Sequence, residues 1–65
     1  MTAREMFEEL GYKVKENKSY IEYENDEEHY FIFNKDYKNI SIGAYEIDID
    51  EFKAVQQQMN ELGWI

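Results

Sequence analysis

Sixty-five residues without cysteine or proline leave room for one domain, residues 1–65, held together by its apolar core with no disulfide or zinc-finger framework. Fifteen acids against seven bases give a formal charge of −8, which argues against direct binding to nucleic-acid backbones or anionic membrane surfaces. Four Phe, six Tyr and one Trp are the natural material for a thin core, since each ring can bury roughly 150–250 Å².

The opening M-T-A-R-E-M-F-E-E-L has three acids and no apolar run or small-residue cleavage site, so it does not read as a signal peptide. With no stretch near the roughly 20 apolar residues of a membrane span, the expected setting is a soluble, cytoplasmic one. Thr2 followed by Glu5 matches a capping box, and Ala3, Met6, Phe7 and Leu10 then fall on one helical face. Gly11 can take the left-handed conformation that stops a helix, with Tyr12 placed to touch Phe7.

A period of two follows. Tyr12 and Val14 alternate with Lys13 and Lys15, then Ile21 and Tyr23 with Glu22 and Glu24, and later Ile40, Ile42 and Ala44 with Asn39, Ser41 and Gly43. The run His29 to Phe33 is apolar on both faces, and Phe31 and Phe33 are taken as its inward pair. Turns are expected at Glu16–Lys18, Asn25–Glu28 and Asn34–Asp36, short enough to make neighbouring strands antiparallel.

Near the end, Asp48 and Glu51 form a second cap, with Ile47 and Phe52 as its hydrophobic staple. Phe52, Val55, Met59 and Leu62 read as the apolar stripe, and Ala54 and Gln56 to Gln58 as edge or solvent positions. E-L-G-W at Glu61–Trp64 repeats the stop signal E-L-G-Y at Glu9–Tyr12. The layout is α+β, α-β-β-β-α, with Tyr12 to Lys15 able to add a strand. The sheet is therefore three- or four-stranded and antiparallel, with both helices on one face.

Asn25-Asp26-Glu27-Glu28 lies where a hairpin must reverse and reads as a solvated turn. It lacks the alternating acids, glycine and closing glutamate of a calcium loop. Glu46, Asp48 and Asp50 are assigned to helix capping. His29 reads as a polar strand residue. With two serines, no cysteine and no phosphate loop or nucleophile elbow, no catalytic, cofactor-binding or metal-binding residue is assigned, and the chain is not read as an enzyme. A sheet covered on one face leaves Tyr20, Tyr30 and Ile32 beside Glu22 and Glu24 on the other, where tyrosines suit an interface.

The segments T-A-R-E-M-F-E-E-L-G-Y-K (2–13), Y-I-E-Y-E-N (20–25) and A-V-Q-Q-Q-M-N-E-L-G-W (54–64) resemble a family of short proteins encoded by phages and prophages of Gram-positive bacteria. The resemblance weakens between His29 and Tyr45. It implies a bacterial-host context rather than an activity and carries over no catalytic residue. In that setting the expected activity is binding to a host or phage protein, with an acidic surface imitating nucleic acid. Glu22, Glu24, Asp26, Glu27 and Glu28 would stand in for phosphates, and Tyr20, Tyr23 and Tyr30 would add contact area. The alternative is an assembly role in which the open sheet face, with Ile32 at its centre, self-associates. The chain itself is expected to be a monomer or weak homodimer.

Overall fold

The computed structural model describes all 65 residues. Helix α1 (Ala3–Glu9) leads into strands β1 (Lys13–Glu16), β2 (Tyr20–Glu24), β3 (Tyr30–Asn34) and β4 (Asn39–Gly43), and helix α2 (Ile49–Glu61) closes the chain. The strands form one antiparallel meander in the order β1-β2-β3-β4. Lys13 to Glu16 thus supplies a full fourth strand.

Local chemistry fixes both helices at both ends. The Thr2 hydroxyl accepts from the Glu5 N–H while the Glu5 carboxylate accepts from the Thr2 N–H, and Asp48 and Glu51 repeat the exchange at α2. The stops are also twins. Gly11 and Gly63 have φ of +92° and +74°, conformations that L residues other than glycine rarely adopt. Past them, the Tyr12 N–H donates to the Phe7 carbonyl at 3.0 Å and the Trp64 N–H to the Met59 carbonyl at 2.9 Å. Each bond is the long one of a Schellman motif.

Register places Val14, Tyr23, Phe31 and Ile42 across one row, and Ile21, Phe33 and Ile40 across the next, on the face the helices cover. Phe31 and Phe33 point inward and have no exposed surface. Phe7 is the hub: its ring stacks on Tyr23 with centroids 3.9 Å apart and meets Tyr12, Phe31 and Phe33 at wider angles. From the other helix, Gln58 reaches Tyr23, and beyond its end Trp64 packs on Phe33. Both helices therefore share one side of the sheet.

The expected stripe of α2 needs correction. Phe52 is 53 % exposed and Ile47, its staple partner, 42 %, whereas Ala54 and Gln58 are buried with Val55. The helix is rolled so that Phe52 lies about a quarter-turn from the centre of the buried face. The reason lies in the sheet: the Tyr23 hydroxyl sits under α2, and the Gln58 Oε1 accepts its proton at 2.5 Å. A buried phenol without an acceptor would cost more than an exposed phenylalanine gains by burial. Tyr23→Phe or Gln58→Leu alone should lower unfolding free energy by about 1–3 kcal/mol, and the double variant by less than the sum, because the first change orphans a buried polar group and the second removes the orphan. Urea titrations of the four proteins check this; additive losses would show that the pair is not coupled.

Candidate functional site

The eight residues expected at the interface divide into two groups. Tyr20, Glu22, Glu24, Tyr30 and Ile32 lie on the sheet face away from the helices. Asp26, Glu27 and Glu28 lie in the β2–β3 turn. Tyr23, expected to add contact area, is 2 % exposed and belongs to the core, so it is withdrawn from the surface.

No element covers the open face, yet Tyr20, Glu22, Tyr30 and Ile32 are half-buried there because neighbouring side chains cover one another. Gly43 stands opposite Tyr30, and a Cβ on it would fall 2.1 Å from the Tyr30 ring, so that ring lies flush on the glycine backbone. The carboxylates are flanked as well: Glu22 faces Lys15 and Glu24 faces Lys13 in the β1–β2 register. Opposite charges across a strand pair offset each other. The open face is therefore electrostatically mixed.

The turn group sits in a different field. Asn25 builds the turn: its Oδ1 accepts from the N–H groups of Glu27 and His29, and its own N–H donates to the His29 carbonyl. Glu28 takes φ of +65°, where a residue with a side chain is strained. In a four-strand meander the β2–β3 turn and the exit of β4 fall at the same end of the sheet. That end gathers Glu24, Asp26, Glu27 and Glu28 from one segment and Glu46, Asp48, Asp50 and Glu51 from another, eight of the fifteen acids, and neither segment contains a lysine or arginine. Lys18, Lys35 and Lys38 occupy the turns at the opposite end, where Lys35 and Arg4 both pair with Glu16.

Between the two acidic segments lies a groove of about 520 Å³ whose walls include Asn25, Glu27 and His29 on one side and Glu46, Asp48 and Glu51 on the other, with Tyr12 and Leu10 between them. A shallower hollow of about 350 Å³ adjoins it along Glu28, Tyr30 and Gly43. Tyr45 stands at both rims, fully exposed. The Tyr12 hydroxyl donates to the Glu51 carboxylate. Burial first, then that bond and the charges of Glu51, Asp48 and Glu27, push its ionisation well above the ordinary tyrosine range. One hydroxyl thus feels both acidic segments. No three His, Asp or Glu side chains stand together as a set that could hold a metal ion. Glu46, Asp48 and Glu51, assigned from the sequence to capping alone, join the turn acids here; Asp48 and Glu51 serve both purposes.

No protein-family model, no curated protein and no solved structure matches this chain. No helix is long and apolar enough to cross a membrane.

Proposed function

We propose that this is a non-catalytic accessory protein, of phage or prophage origin as the resemblance implies, that acts by binding a basic protein through its acidic end. The observation that carries this reading is the meeting of two cation-free acidic segments around one groove, with three of the six lysines, Lys18, Lys35 and Lys38, held at the far end. Such a polarised field orients a charged partner before contact and raises its encounter rate. Within the set read from the sequence, Asp26, Glu27 and Glu28 become the leading contacts, joined by Glu46, while Glu22 and Glu24 are offset by Lys15 and Lys13. Tyr45 supplies exposed aromatic area at the rim. If the partner's basic groove ordinarily holds nucleic acid, these carboxylates occupy the positions of phosphates.

The test uses the full chain as bait in lysate of a Gram-positive host, beside the variant Asp26→Asn/Glu27→Gln/Glu28→Gln/Glu46→Gln. None of these four side chains makes a hydrogen bond, so the fold is left intact. The expected result is capture of a basic protein that salt releases and duplex DNA displaces, with affinity for the variant lower by about tenfold or more. Equal capture by both baits, or binding indifferent to salt, would overturn the reading.

A further inference from the structure

The two edges of the sheet are unlike. Edge strand β1 is Lys13-Val14-Lys15-Glu16, three charged residues in four, the composition that keeps an edge from pairing with another chain. Edge strand β4 is Asn39-Ile40-Ser41-Ile42-Gly43, without a charge or a proline, and its register with β3 is unbroken by any bulge. Its outer N–H and C=O groups face no other strand. Exposed apolar residues cluster along it: Ile42 is 43 % exposed, and Tyr37 and Tyr45, beyond its two ends, are 82 % and 103 % exposed.

We propose that β4 is a self-association edge, and that its occupant is β4 of a second copy of this chain, paired antiparallel about Ser41. The strand is complementary to itself in that register. Ile40 of each copy falls opposite Ile42 of the other, Asn39 opposite Gly43, and Tyr37 comes beside Tyr45. The two four-stranded sheets become one of eight strands, related by a twofold axis through the Ser41 pair.

The symmetric pattern of β4 selects this occupant, and the position of the acids selects this orientation. Lys38 stands at the start of β4, with Asp36 two residues before it and the Lys35 ammonium turned away to Glu16, while Glu46 follows its end and Glu27 and Glu28 share a hollow with Gly43 and Tyr45. Antiparallel pairing keeps the two acidic ends apart and brings Lys38 of each copy beside the end of the other's β4, twice over. Parallel pairing would set acid beside acid. An uncharged edge whose polar and apolar pattern, Asn39-Ile40-Ser41-Ile42-Gly43, reads alike in both directions, with the acids gathered beyond one end, fits another copy of itself turned end for end. This inference does not depend on the partner reading: self-association of β4 is read with no partner present, although Tyr45 and Glu46 stand beside both surfaces.

Sedimentation equilibrium over a concentration series tests it, with circular dichroism confirming that each variant is folded. The wild-type chain should show a concentration-dependent dimer. Ile42→Lys should raise the dimer dissociation constant about tenfold or more by burying a charge at the new strand pair. Asp36→Lys should lower it by up to about tenfold, since in this register Asp36 of each copy falls opposite Glu46 of the other and the change turns two like-charge pairs into opposite ones. A single monomeric species up to about 1 mM would overturn the proposal. So would a dimer unmoved by Ile42→Lys or by Asp36→Lys.

Discussion

Phe7→Ala should leave the chain largely unfolded at room temperature. Phe7 has no exposed surface and touches more of the aromatic core than any other ring, stacking on Tyr23 and meeting Tyr12, Phe31 and Phe33. Truncating a buried phenylalanine costs about 3–5 kcal/mol in lost burial and residual cavity. A domain of this length has a total stability of only about 3–10 kcal/mol. α1 has seven residues, too few to persist without the packing that Phe7 provides, so its loss should carry the helix with it. Phe52→Ala is the matched comparison. Hydropathy ranks the two phenylalanines alike, but Phe52 is 53 % exposed, and its truncation should cost about 1 kcal/mol or less. Guanidinium titrations followed by far-ultraviolet dichroism measure both. Equal losses would mean that the core is not centred on Phe7.

Alkali should unfold the protein through two tyrosines. Burial pushes the Tyr23 hydroxyl up to about 12, and burial together with Glu51 pushes Tyr12 higher still. In the unfolded chain a tyrosine loses its proton near pH 10. Between that value and the folded one the unfolded state binds fewer protons than the native state, so stability falls as pH rises. The stabilisation is complete below about pH 10 and is lost progressively through the window that ends near 12 for Tyr23. At about 1.4 kcal/mol per unit, Tyr23 alone contributes a loss on the order of 2–3 kcal/mol. Absorbance of tyrosinate and circular dichroism recorded on the same samples should therefore change together for these two groups. Tyr12→Phe should move the midpoint to higher pH once its own loss of stability is subtracted. Ionisation of all six tyrosines with dichroism unchanged would contradict the burial of both.

What the sequence made legible follows from how far each cause reaches along the chain. The caps and the glycine stops with their long backbone bonds are set within six residues, and appear where Thr2, Gly11, Asp48 and Gly63 place them, whereas the Ile47 and Phe52 pair at the second cap stays largely exposed. The facing of Phe31 and Phe33 was settled by register with Ile21 and Tyr23. The roll of α2 was hidden because it answers a hydroxyl 35 residues away, on Tyr23, and periodicity gives no weight to Gln58. The acidic end was hidden for a different reason: each of its segments has a sufficient local explanation, a turn in one case and a cap in the other. A signal did exist. A meander of short hairpins sends alternate turns to opposite ends, and sorting the charges by that rule puts Lys18, Lys35 and Lys38 with Glu16 and Asp36 on one side and the eight acids with Lys13 on the other.

That sorting is the physical basis of the partner reading, and it can be measured without a partner. Backbone amide relaxation in the presence of a cationic and then an anionic nitroxide of the same size reports the potential near each residue. The cationic probe should broaden residues 24–29 and 44–51 much more strongly than the anionic one, with the preference falling away or reversing at 17–19 and 35–38. An even preference over the whole surface would contradict the charge separation from which the binding site is drawn.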